Sequence, residues 1–167
     1  MLTVLCAVAI LSPVAAEGKS LTALSPVEVK NYRKLNGKFA MGDRLFDFGF
    51  ELDQTYPNVN ITDEEDCKVI YDLKRKHKYL VGYAGVRDVK TLSENAFYNR
   101  LVVKLDGVVA LDKPLYGPTV TRFVIDVTGV ESLAVRTIHG ACLAEPRLVN
   151  ILPAPQPGDW TYLPASN

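Results

Sequence analysis

Polar and apolar positions alternate along much of this chain. In residues 45–52 (LFDFGFEL), Phe46, Phe48, Phe50 and Leu52 fall on one side while Asp47, Gly49 and Glu51 fall on the other. That is the period-2 pattern of a strand with one wet face. Further strands are predicted at 67–73, 78–86, 99–105, 108–111, 119–127, 132–138 and 144–149, all rich in β-branched and aromatic residues. Asp106-Gly107 stands between two of these apolar runs. It predicts a type I′ hairpin, because Asp and Gly both tolerate positive φ. About eight short strands with no long helical pattern predict an all-β fold, an antiparallel β-sandwich or jelly roll.

Loop lengths sharpen that expectation. If the strands run antiparallel in succession, alternate connections share an end of the sandwich. One end then receives 74–77, 106–107 and 128–131, all short, and the other 53–66, 87–98, 112–118 and 139–143. The long-loop end is the expected binding surface, since loops carry function on a rigid scaffold.

The ends of the chain read differently. Residues 1–16 (MLTVLCAVAILSPVAA) carry no charged side chain, break at Pro13, and offer Val14 and Ala16 as small residues for a signal peptidase. They predict a secretory signal, with a buried N-terminal strand or a short anchor as the alternative. The stretch is too short to span a bilayer as a helix. The expected organisation is a signal at 1–16, one domain at 17–149, and a proline-rich tail at 150–167. Trp160, the one tryptophan, is expected to tuck back onto the domain.

Composition excludes some partners. Lys plus Arg equals Asp plus Glu at 19 each, so no global field draws the chain to nucleic acid. Cys6 leaves with the signal. Cys67 and Cys142 remain, an even number in an oxidising compartment, and predict a disulfide. The long loop it closes corresponds to about 4 kcal/mol in the chain-entropy model; two buried free thiols are the alternative. Asn60-Ile61-Thr62 is a glycosylation sequon.

No catalytic constellation is legible. The two histidines, His77 and His139, form no zinc-ligand spacing, and no phosphate loop, dinucleotide fingerprint or nucleophile elbow occurs. The expectation is a non-catalytic binding module without a cofactor. Asp63-Glu64-Glu65-Asp66 supplies oxygens that suit a structural calcium, though not at EF-hand spacing, and reads first as a solvated acidic loop. Lys74–Lys78 (KRKHK) reads as a basic solvated turn.

Residues 24 to 149 resemble the NPCBM family of carbohydrate-binding-like modules. Ile70-Tyr71-Asp72-Leu73 leading through Tyr79 and Gly82 to Ala84-Gly85-Val86-Arg87-Asp88 is similar to that family's first motif. Residues 101–111 resemble its Asp-Gly hairpin, and Ile125-Asp126-Val127-Thr128-Gly129 with Leu133 and Val135 its next element. Leu143-Ala144-Glu145-Pro146-Arg147-Leu148 resembles its closing motif, with Leu143 where the family has Trp. The resemblance implies a galactose-binding-domain-like jelly roll. Sugar sites pair an aromatic face with amides, carboxylates or guanidinium groups. The long-loop end offers Tyr56, Asn58, Arg87, Asp88, Asn95, Tyr98, Tyr116 and His139 for that purpose. The expected protein is thus secreted and recognises glycan, with binding to a cell-surface or matrix protein as the alternative.

Overall fold

The computed structural model describes residues 18–52, 67–87, 99–138 and 140–163. In chain order the strands are β1 (Lys19–Ser20), β2 (Glu28–Lys30), β3 (Tyr32–Met41), β4 (Arg44–Leu52), β5 (Lys68–Asp72) and β6 (Tyr79–Gly85). They continue as β7 (Asn99–Leu105), β8 (Val108–Leu115), β9 (Thr121–Asp126), β10 (Ser132–Ile138), β11 (Ala141–Val149) and β12 (Trp160–Tyr162). The larger sheet runs β12-β9-β6-β11-β4-β3, with β1 added on β11; the smaller runs β2-β5-β10-β7-β8. All pairs are antiparallel except β12 on β9. This is the all-β sandwich that the alternation predicts. Among the described residues no helix is long and apolar enough to cross a membrane.

The inter-sheet core is filled by the inward residues of both sheets, including Phe50, Leu52, Val69, Tyr71, Leu101, Phe123, Leu133 and Leu143. Burial of such side chains drives the two sheets together, at about 25 cal/mol per Å² of apolar surface. A second, smaller cluster joins Leu35, Phe39, Met41, Phe46, Cys142 and Ala144. It lies on the outer face of the larger sheet. Along β11, Ala141 and Leu143 belong to the first cluster while Cys142 and Ala144 belong to the second, the signature of a strand covered on both faces.

What covers the outer face is the β3–β4 hairpin. Phe46 packs on Tyr83 of β6 with ring centroids 5.3 Å apart. A Cβ on Gly85 would meet the Met41 sulfur at 3.1 Å, and one on Gly42 would meet the Pro118 carbonyl oxygen at 2.1 Å. The hairpin therefore bends back over β6. Its register shifts between Asn36 and Phe39, and β11 shifts register against β6 between Ala144 and Arg147. Such bulges increase local twist and turn a strand. This bend alters the expected face of β4. Phe50 and Leu52 do enter the inter-sheet core, but Phe46 enters the second cluster and Phe48 is half-buried with the Arg147 guanidinium 4.7 Å above its ring.

The two cysteines do not form the expected disulfide. Both are buried free thiols. Cys67 lies in the inter-sheet core, within 3.8 Å of the Asn31 amide nitrogen, whereas Cys142 points to the hairpin. Successive side chains of a strand project to opposite faces, so the sheet itself separates the two sulfurs.

The turns sort by end, with two corrections. Residues 73–78, 106–107 and 127–131 are knitted together: Leu73 N–H donates to Glu131 O at 2.7 Å, Asp106 N–H to Ser132 O at 2.9 Å, and Val127 N–H to Lys78 O at 2.8 Å. Asp106 and Gly107 take φ of 47° and 85°, the hairpin geometry expected of them. Ser132 N–H also donates to the Asp106 carboxylate at 2.7 Å, so this turn residue fastens β10 as well. At the other end β8 runs on to Leu115 and β11 begins at Ala141. Two connections expected to be long are therefore short. Pro114 is accepted because β8 is an edge strand with one unpaired side.

Buried thiols on opposite faces should react only when the chain unfolds. Alkylation of the native protein is expected to spare Cys67 and Cys142, and alkylation in denaturant without reductant to label both, as read by peptide mass. Protection of both in unreduced denaturant would restore the disulfide.

Candidate functional site

At the end from which β4 and β6 lead into residues 53–66 and 88–98, three charged side chains converge on the outer face. Glu51 pairs with Arg33, its neighbour across the β3–β4 ladder, and accepts a second bond from Arg87 Nη1 at 3.4 Å. Glu51 is largely covered, its side chain 13% exposed, while that of Arg87 is 31% exposed. Two guanidinium groups on one carboxylate leave a net positive charge facing out. Cys142, opposite Glu51 on β11, feels the cluster: burial pushes its thiol up to about 12, the Glu51 charge adds to the rise, and Arg87 and Arg33 oppose it.

Tyr116 follows β8 at the same end and is 58% exposed. The turn it opens is closed by Thr119 N–H donating to Tyr116 O at 3.0 Å. A Cβ on Gly85 would lie 3.1 Å from Thr119 O, so this turn runs beside the start of the Arg87 segment. Of the expected ligand residues, Arg87 and Tyr116 thus share one end. Tyr56, Asn58, Asp88, Asn95, Tyr98 and His139 lie outside the described residues, as do Asn60 and the acidic run 63–66. Among the described residues no group of three or more His, Cys, Asp or Glu side chains is placed to hold a metal.

A separate groove of about 310 Å³ opens on the side of the sandwich, lined by Arg44, Tyr83, Thr121, Arg122, Gln156 and Asp159 among others. The bent hairpin supplies Arg44, whose guanidinium lies 4.2 Å from the Tyr83 ring centre and 5.3 Å from that of Phe46. The opposite wall is the proline-rich segment, which doubles back before adding β12 to the sheet edge. Arg122 Nη1 donates to Asp159 Oδ2 at 2.6 Å and to Ala154 O at 3.2 Å, and Gln156 N–H donates to the same Asp159 oxygen at 2.9 Å. The Asp159 side chain is only 4% exposed. Trp160 beside it packs against the inter-sheet core.

Sequence reasoning missed Arg33, Glu51, Arg44, Tyr83, Arg122 and Asp159. Each sits at an ordinary polar or aromatic position of its strand or turn. Only cross-strand register and the fold-back of two segments bring them together.

No family model matches this chain, and no curated protein matches it in sequence. Solved structures do match in shape. A Clostridium perfringens ZmpB structure containing its CBM51-2 and INT domains superposes with TM-score 0.61 at 13% identity over 80% of this chain. This chain spans 32% of that one, about a third of its length. CBM51 from C. perfringens GH95, solved in complex with methyl-galactose, superposes with TM-score 0.58 at 13% identity, over 78% of this chain and 98% of that module. The chain has the fold of these carbohydrate-binding modules. It is a galactose-binding-like β-sandwich, and at this level of identity the likeness concerns fold alone.

Two outcomes are expected. Asp159→Ala strands Arg122 in a covered position and frees the returning segment, costing about 3 kcal/mol; chemical denaturation and a red shift of Trp160 emission would show it, and an unchanged midpoint would contradict it. Folding also favours the un-ionised Cys142 thiol. The stability this gives is fully present below about pH 9 and is lost as pH rises toward 12. Cys142→Ala should therefore flatten the alkaline fall in melting temperature, and an equally steep fall in the variant would count against it.

Proposed function

We propose that this chain is an exported, non-catalytic carbohydrate-binding module that takes glycan through the end carrying Arg87 and Tyr116. The observation that carries this reading is its likeness to the GH95 module, which extends over nearly that whole domain rather than a shared fragment. That module was solved with methyl-galactose and the ZmpB CBM51-2 module with GlcNAc, which supports sugar as the ligand class. The chemistry at the end fits. Arg87, braced by Glu51, keeps donors for hydroxyl oxygens, and Tyr116 exposes a ring for sugar C–H faces. The NPCBM resemblance points the same way, and Tyr56, Asn58, Asp88, Asn95, Tyr98 and His139 complete the proposed surface. Export is the reading of residues 1–16, which would place the domain where glycans are displayed.

Binding of the full chain to a broad glycan array, followed by titration of the best neutral sugar, tests the proposal. Arg87→Ala is expected to weaken that affinity roughly tenfold, the effect of one lost charge-assisted hydrogen bond. An array without signal, with one protein partner recovered instead, would sink it.

A further inference from the structure

The side groove has a charge balance that the loop end does not explain. The Arg44 guanidinium lies over the Tyr83 ring with Phe46 close by, and no carboxylate among the described residues pairs with it. A guanidinium held this way presents its in-plane N–H edge as a fork for a planar, bidentate anion. Across the groove Arg122 is occupied only through Nη1, and its charge is matched by Asp159. Two arginines against one aspartate leave the lining with one uncompensated positive charge. Gln156 and Thr121, neutral polar residues, also line it.

The groove also lacks what a neutral hexose would want most. Tyr83 is its aromatic residue, and Arg44 already lies over that ring at 4.2 Å. Recognition must therefore come from charge and hydrogen bonds rather than from stacking on sugar C–H groups. A volume of about 310 Å³ sits at the lower bound of small-ligand sites, the size of one monosaccharide rather than an oligosaccharide.

We infer that this groove is a second ligand site, distinct from the loop end, which takes the carboxylate of an acidic sugar residue of the uronate class. The carboxylate meets the Arg44 fork, and the ring hydroxyls meet Thr121 and Gln156. Sugar as the ligand class rests on the proposed function; the site and its charge preference do not.

The test is calorimetric titration of the full chain with methyl glucuronide, methyl glucoside and acetate. Glucuronide is expected to bind, to weaken as salt is raised, and to exceed both other probes by about tenfold or more. Arg44→Gln should remove about 10- to 100-fold of that affinity, and Arg44→Lys should retain only part of it. Melting temperatures within a few degrees of the parent establish that the variants fold. Glucuronide binding indifferent to Arg44→Gln would overturn the site, and acetate binding as tightly as glucuronide would overturn the sugar. Either failure leaves neutral-glycan binding through Arg87 standing. Loss of that binding alone, with the glucuronide result intact, would instead remove the proposed loop-end function.

Discussion

Close approach of the β3–β4 hairpin to the outer face of the larger sheet is the constraint on which the rest depends. A Cβ on Gly49 would come 2.3 Å from the Leu143 carbonyl oxygen and 3.0 Å from the Phe39 ring. One on Gly85 would press the Met41 sulfur at 3.1 Å. Side chains at these positions would lift the hairpin and uncover Cys142, Ala144 and Met41, whose burial is the reason for the bend. The absence of side chains at 49 and 85 thus turns an ordinary half-wet sheet into one covered on both faces. It also places Arg44 beside Tyr83, without which the side groove would lack one of its two walls.

The covalent economy of the domain follows from the same layering. Cys67 and Cys142 make the even pair from which the sequence predicts a staple, yet they stand on opposite sides of one sheet. Stability is supplied instead by two apolar clusters, by turn hydrogen bonds at the knitted end, and by the Arg122–Asp159 pair that returns the proline-rich segment to the sheet edge. That segment is proline-rich but carries Trp160 and Tyr162, whose rings pack against the inter-sheet core and anchor a short parallel strand. A buried, protonated thiol at Cys142 beside Glu51 is the residue of this arrangement rather than a reactive centre.

Charge is handled differently at the two candidate surfaces. Near the long connections one carboxylate is shared by Arg33 and Arg87. In the side groove the carboxylate belongs to Arg122, and Arg44 is fixed by aromatic rings instead of an anion. Both surfaces carry two guanidinium groups per carboxylate, but in the first both share the anion, whereas in the second Arg44 has no carboxylate partner among the described residues. One sandwich can therefore present two chemistries on surfaces that do not compete.

The sequence by itself determined the all-β class, the Asp-Gly hairpin and the grouping of short turns at one end, because these depend on period-2 alternation and on local φ preferences. It could not reveal β3: Leu35, Phe39 and Met41 keep one phase, but the polar Asn36-Gly37-Lys38 between them reads as a turn, where the structure has a bulge. Nor could it show that β11 starts at Ala141, since a strand buried on both faces has no polar phase to read. Arg87 and Tyr116 were legible as loop-end residues because they flank predicted strands. Arg33, Glu51, Arg44 and Asp159 were not, because their partners lie across strand registers or on segments that fold back from elsewhere in the chain. Only the tertiary structure decided the state of the two thiols, for the same reason: which face of a sheet a residue takes is local, but what covers that face is not.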